Sequence, residues 1–273
     1  FLAAVLLLAT PVFAADNPVV SMETNFGTVK IELYMQDAPN TVVSFLSLCD
    51  KKYYDGLKFH RIVKGFMAQG GDPQGTGGGG PGYYLPAEFN ARKHVKGTLS
   101  MARTFEPNSA GSQFFLCFAE AAFLDNQYTV FGQVTEGLDV LTKIEAEAAT
   151  ERDGMPPLKE VKIVTAKVVS KPEKLPALVS LKPEEVPFLG VIPNMKASTD
   201  GLVIGQLHPK GGGKASGLLV GDNIRKVGDV EVRGLLDYAK AVLPARPGKA
   251  ITFTVMRNGA ETKVEVTPGS MPR

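Results

Sequence analysis

A proline-rich joint divides this chain and limits what each half can become. Lys171 to Pro187 reads KPEKLPALVSLKPEEVP, with four prolines, six charged residues and no sustained apolar period. Proline lacks an amide hydrogen and fixes φ, so the stretch reads as a semi-extended linker and not as a helix or a central strand. Charge changes sign across it. Residues 15–170 hold 15 basic and 18 acidic side chains, whereas residues 186–273 hold 12 and 7. The organisation predicted is two domains, over 18–171 and 187–270, joined by 172–186. With 273 residues, 44% hydrophobic and 21% charged, the chain is long enough to bury a core in each. A net charge of only +2 argues against a dedicated nucleic-acid binder.

The segment FLAAVLLLATPVFAA at 1–15 has the length and apolar character of the hydrophobic part of a signal peptide. It is short for a membrane span. Small residues around Val12-Phe13-Ala14 predict cleavage after Ala14. Residues 1–14 are therefore read as an N-terminally incomplete signal peptide. The expected location is periplasmic or secreted, with no stable membrane span after cleavage. Two cysteines, Cys49 and Cys117, are too few for a disulfide framework and read as two buried thiols, with one bridge an open alternative.

The first domain reads as mostly β. Val19–Thr24 and Thr28–Tyr34 form a hairpin around Asn25-Phe26-Gly27. Asp37 before Ala38-Pro39 marks a helix start, with Val42, Val43, Phe45, Leu46 and Cys49 at helical spacing. Phe59–Met67, Ser112–Phe118 and Val161–Val169 read as strands, and 138–149 as a helix with Leu138, Leu141 and Ile144 on one face.

Several kinds of chemistry are excluded by what is missing. The run Gly75-Thr76-Gly77-Gly78-Gly79-Gly80 is followed by Pro81 and no helix, so it lacks the helix N-terminus that a phosphate cradle needs. Neither a nucleophile elbow nor a zinc-protease motif occurs, and His60, His94 and His208 lack ligand spacing. No metal or cofactor is implied. What remains is a set of apolar stretches around single polar residues. They are Phe59-His60-Arg61, Phe66-Met67-Ala68-Gln69-Gly70-Gly71-Asp72, Leu99-Ser100-Met101-Ala102-Arg103, Gly111-Ser112-Gln113-Phe114-Phe115 and Phe123-Leu124-Asp125. An apolar pocket with one Arg and one or two Gln could hold an apolar ring and its amide neighbours. Taken alone, His60 reads as a hydrogen-bonded structural histidine and Asp72 as a carboxylate that fixes its loop.

These stretches, in this order and spacing, resemble the cyclophilin family of peptidyl-prolyl isomerases from about Pro18 to Lys171. The resemblance implies a closed eight-stranded antiparallel barrel capped by two helices, in a mainly β protein. It implies that Arg61 and Gln69 are catalytic, Arg61 at the proline nitrogen and Gln69 at the substrate carbonyl with Gln113 nearby. Phe66, Met67, Phe115 and Leu124 would line the proline pocket. Ala102 and Arg103 would supply backbone contacts to the peptide. Phe123 and Tyr128 border the same site and stand where the eukaryotic pattern has Trp and His. That departure resembles the bacterial branch and puts tight cyclosporin binding in doubt.

The second domain shows short strands, a helix over Leu235–Leu243 ending at Pro244, and an Asn258-Gly259 hairpin between Ile251–Met256 and Thr262–Thr267. Phe188-Leu189-Gly190-Val191 and Gly217-Leu218-Leu219-Val220-Gly221-Asp222 resemble a PDZ domain of the bacterial, protease-associated type, a smaller partial barrel with one or two helices. The resemblance implies that the amides of Leu189, Gly190 and Val191 capture a peptide carboxylate, with an extended or C-terminal peptide lying between the following strand and the helix. Tyr238 and Val242 are the helix residues assigned to that groove, and whether their face is groove or core stays open. The combined reading is an extracytoplasmic prolyl isomerase acting in protein folding, whose PDZ domain recruits partners. The alternatives are a binder of proline-containing segments without turnover, and a chaperone scaffold.

Overall fold

The computed structural model describes residues 17–197 and 200–271; the segment read as a signal peptide lies outside the described residues. The first domain runs β1 (Val19–Thr24), β2 (Gly27–Leu33), α1 (Pro39–Asp50), β3 (Arg61–Val63), β4 (Met67–Gly70), β5 (Thr98–Met101), β6 (Phe114–Cys117), β7 (Val130–Glu136), α2 (Leu138–Ala148) and β8 (Ile163–Ser170). One antiparallel sheet holds all eight strands in the order β3-β4-β6-β5-β7-β2-β1-β8. Closure differs in detail from the expectation, because β8 meets the coil just before β3. Gly56 N–H donates to the Ile163 carbonyl at 2.7 Å, Ile163 N–H to Leu57 at 2.8 Å and Phe59 N–H to Val161 at 2.9 Å.

Strand alternation decides the core. Val20 and Met22 of β1 and Val29, Ile31 and Leu33 of β2 point inward, with their neighbours partly or fully exposed. Phe45 of α1 sits at the middle of an aromatic cluster, 5.0–5.6 Å from the rings of Tyr54, Phe114 and Phe131. The helix face in α2 is shifted from the one predicted. Val140, Leu141, Ile144 and Ala148 are buried, and Leu138 is exposed at the first helical position. The predicted Phe59–Met67 strand is two strands, because Gly65 adopts a left-handed φ of 66° and turns β3 back onto β4. Asp37 does not cap α1. Glu88 takes that role, accepting from the amides of Asn40 at 2.9 Å and Thr41 at 2.8 Å, while Asp37 pairs with Arg92.

The proline-rich stretch departs from a plain semi-extended linker in two ways: it closes into a single 3-10 turn at Pro183–Glu185, and it is strapped to the barrel. Tyr84 and Leu181 exchange two backbone hydrogen bonds at 2.8 Å, and the Asn40 side chain brackets the backbone of Val179. The following domain runs β9 (Pro187–Phe188), β10 (Val191–Pro193), β11 (Leu202–Leu207), α3 (Gly212–Ala215), β12 (Asn223–Val227), β13 (Val230–Glu231), α4 (Leu235–Val242), β14 (Ile251–Arg257), β15 (Ala260–Val266) and β16 (Gly269–Ser270). Its main sheet is ordered β10-β11-β12-β14-β15, with β13 beside β12 and β16 on β9. Asn258 and Gly259 both take positive φ in the β14–β15 turn, as the hairpin signal predicts. Asp222 is structural. It is buried, accepts from the Leu219 amide and is held by Arg257 at 2.7 Å. Among the described residues no helix is long and apolar enough to cross a membrane.

Candidate active site

The β3–β4 hairpin places Arg61 directly opposite Gln69, and β6 places Phe115 opposite Gln69 on the other side. Sheet register thus brings together residues that are more than forty positions apart. Arg61 Nη1 donates to Gln69 Oε1 at 3.0 Å, and Gln69 Nε2 donates to Gln113 Oε1 at 3.0 Å. Gln113 Nε2 then donates to the carbonyls of Gly77 and Gly79, both at 2.9 Å. The glycine-rich run is therefore a fixed wall behind this string of polar groups. Asp72 holds it in shape by accepting the amides of Gln74, Thr76 and Gly77. Burial pushes the Asp72 carboxyl up, but those backbone donors outweigh it and hold it below the ordinary range. His60, read as hydrogen-bonded, is half-buried, and among the described residues its Nδ1 has no partner.

Beside the polar string lies a separate apolar cluster of Met67, Phe115, Cys117, Ala121 and Leu124, flanked by Phe66, Ala102 and Tyr128. It contains three of the pocket residues predicted from the sequence, Met67, Phe115 and Leu124, and the fourth, Phe66, packs against it. Phe123 lies at its rim, 66% exposed, with its ring 5.4 Å from that of Phe66. Tyr128 meets Phe115 edge-on at 6.0 Å. The Ala102 amide is engaged by the Gln113 carbonyl at 3.0 Å, so Ala102 can offer a peptide only its own carbonyl. Arg103 turns its guanidinium inward, onto the carbonyls of Gln127, Thr104 and Phe105 and over the Tyr128 ring. A cleft of about 470 Å³ continues from Gln69, Gln113, Ala102 and Arg103, and both Pro183 of the joint and Met271 border it.

Three residues of this region escaped the sequence reading. Asp153 grips Arg61 through two parallel bonds, Nε to Oδ1 at 2.6 Å and Nη2 to Oδ2 at 2.5 Å. Arg61 in turn holds the Asp153 carboxyl below its ordinary range. His94 stacks on Phe115 at 5.9 Å, and its two ring nitrogens meet Asp125 and Ser100 at 3.1 Å. Burial lowers the pKa of His94 against the opposing pull of Asp125, so it supports the pocket as a neutral ring. The third, Glu106, belongs to the other domain's site. No spacing signal marks these residues, since each acts on a partner from a different part of the chain. Cys49 and Cys117 are free and buried, and burial pushes both thiols up to about 12.

At the predicted carboxylate loop of the second domain the structure corrects the sequence reading. The amides of Leu189 and Gly190 already donate to Glu106 Oε1, at 2.9 and 2.7 Å. Val191 lies in the β10 ladder opposite Leu207 and is not part of this contact. Tyr238 and Val242, whose face the sequence left open between groove and core, are fully buried, and Phe89 of the first domain shares their core cluster.

A family model described as cyclophilin type peptidyl-prolyl cis-trans isomerase matches residues 19–168, and a PDZ domain model matches 187–267. A peptidyl-prolyl cis-trans isomerase of Helicobacter pylori is 46% identical over 135 residues, 48% of this chain and 82% of that protein. One from Synechococcus elongatus is 50% identical over 115 residues, 42% of this chain and 79% of that protein. A crystal structure of a Cryptosporidium parvum cyclophilin superposes with a TM-score of 0.54 at 34% identity, covering 57% of this chain and 99% of that one. The same cyclophilin has been solved in the presence of the dipeptide Ala-Pro. With the family matched over more than half its length and a PDZ domain behind it, the chain belongs to the cyclophilin-type peptidyl-prolyl cis-trans isomerases.

Proposed function

We propose that the barrel accelerates X-Pro isomerisation in folding polypeptides outside the cytoplasm, and that the PDZ domain recruits peptide or protein partners to it. The observation that carries the catalytic part is the Arg61–Gln69–Gln113 string beside the Met67–Phe115–Leu124 cluster. An X-Pro bond resists rotation by about 18–20 kcal/mol because the proline nitrogen shares its lone pair with the carbonyl. The apolar cluster holds the proline ring. Arg61 donates to the proline nitrogen as it becomes pyramidal, which weakens the double-bond character of the amide. Gln69, oriented by its bonds to Arg61 and Gln113, donates to a carbonyl of the peptide. A contact that is stronger in the twisted state than in either planar state lowers the barrier without a covalent step.

The apolar segment with small residues near Ala14 supports a location outside the cytoplasm. The edge position of β10 supports capture of an extended peptide. The chain has no Trp, so exchange NMR on a short X-Pro peptide is the suitable assay. Exchange faster than the uncatalysed rate is expected, and folded protein that leaves several such peptides unaffected would refute the catalytic reading. N-terminal sequencing of the mature protein tests the location, with a start at Ala15 expected. Refolding of a proline-limited client by the full chain tests the role in folding.

A further inference from the structure

The loop after β5 leaves the isomerase site at Ala102-Arg103 and enters the PDZ domain within four residues. Glu106 places one carboxylate oxygen on the two amides of Leu189 and Gly190, which is the contact a peptide's terminal carboxylate would need. Gly190 holds the loop open for it with a φ of 71°, and a Cβ there would lie 2.8 Å from the Gly211 backbone. Phe105 packs against Phe188 and His208, with ring centroids 5.7 and 5.6 Å away. Asn108 Nδ2 donates to the Ala239 carbonyl in α4 at 3.0 Å. Phe89, 6% exposed, belongs to the same buried cluster as Leu235, Tyr238, Ala239 and Val242 of α4. A carboxylate on the loop amides, an aromatic neighbour and a buried apolar residue thus dock this segment of the first domain on the second.

We propose that Glu106 and its neighbours are an internal ligand that closes the PDZ site in cis, and that a peptide ending in a free carboxylate after an apolar residue competes for it and releases the 102–109 loop. Competition is physically reasonable because a carboxylate taken out of water is costly to keep. Glu106 is 2% exposed, and Arg103, the cation acting on it, turns its own donors to backbone carbonyls. The raised proton affinity of Glu106 reports the same cost. Release would reach the isomerase site directly, since Ala102 and Arg103 sit on the same loop. This inference rests on the reading that the PDZ domain captures peptides.

The test uses the full chain, ¹⁵N-labelled, with acetyl-Ala-Gly-Ser-Thr-Val-Phe carrying a free C-terminus and with its C-terminal amide as control. Glu106→Ala is expected to bind the free-acid peptide at least tenfold more tightly than wild type, and neither protein should bind the amide. In wild type the peptide should shift the amide resonances of Leu189, Gly190, Ala102 and Arg103 together. In the variant only Leu189 and Gly190 should move. Equal affinities for wild type and variant would overturn the internal-ligand proposal and leave PDZ recruitment standing. If the variant's Leu189 and Gly190 amides are released but bind no peptide, recruitment itself fails, and competition with it. If Glu106→Ala does not fold, Phe89→Ala, which loosens the same dock without touching the carboxylate, must show the same tightening or the proposal fails.

Discussion

The isomerase site and the Leu189-Gly190 loop lie in two domains of peptide-acting families, yet they treat their polar groups in opposite ways. Arg61, Gln69 and Gln113 hold one another in a row at the edge of solvent, with Asp153 bracing Arg61 from outside. Phe123 stands exposed at the rim. The site is thus ordered by its own residues and open. Leu189 and Gly190 instead satisfy their amides with Glu106 from the other domain, and Phe89 of that domain is buried in the same core cluster as Leu189. A site that lowers a barrier needs its donors in position before substrate arrives, which internal hydrogen bonds supply. A site that captures a carboxylate can be shielded by a carboxylate of its own. The comparison teaches that order and accessibility are separate properties.

The largest expected effect bears on the open site. Arg61→Ala should slow isomerisation by roughly two to three decades, about 3–4 kcal/mol, measured by exchange NMR on an X-Pro peptide. A loss smaller than tenfold would mean that the polar row is not the source of the rate. On the closed site, Phe89→Ala should cost about 3 kcal/mol of docking, roughly a hundredfold in the docked-to-free ratio. Distances between spin labels on the two domains would read it, and an unchanged distribution would mean the dock does not depend on this anchor.

Acidity separates the two sites further. Burial pushes Glu106 up to about 7, against the pull of the Gly190 and Leu189 amides and of Arg103. Tyr238 and, through Phe105, His208 also lie against this loop. Docking therefore binds a proton. It should be strongest below the ordinary Glu range and weaken as pH rises through about 7, by about tenfold between pH 6 and pH 8. The same labels check the sign, and tighter docking at pH 8 would contradict it. At the open site the shift runs the other way. Arg61 depresses the Asp153 carboxyl, so that pair persists down through the ordinary carboxylate range and is lost only below it. Because Asp153 is exposed, its effect is the smallest. Asp153→Asn should lower kcat/KM about threefold to tenfold and flatten the acid limb of the pH profile. An unchanged profile would leave Asp153 without a positioning role.

Much of both domains was legible in the sequence because the signals are local. Alternation in Val19–Leu33, the Pro39 helix start and the Asn258-Gly259 turn each act over a few residues, and the structure forms all three. The split of Phe59–Met67 was missed because Gly65 sits in a run whose composition is otherwise strand-like. The apolar pocket and its Arg and Gln partners were legible as residue types, and their proximity followed only from resemblance to a known family. Sheet register supplies the physical cause, setting Arg61, Gln69 and Phe115 side by side.

By itself the sequence determined two β-rich units around a proline-rich joint, and the side chains that make an apolar site with one guanidinium. Those properties reside in local periodicity, fixed φ at proline and residue chemistry. Only the tertiary structure decided that the joint is strapped to the barrel at Leu181, that Asp153 braces Arg61 and that Glu106 fills the PDZ loop. Each of these contacts pairs residues about eighty to a hundred positions apart. Such a pair leaves no period, turn signal or spacing in the chain, because its geometry exists only after both partners' backbones have folded.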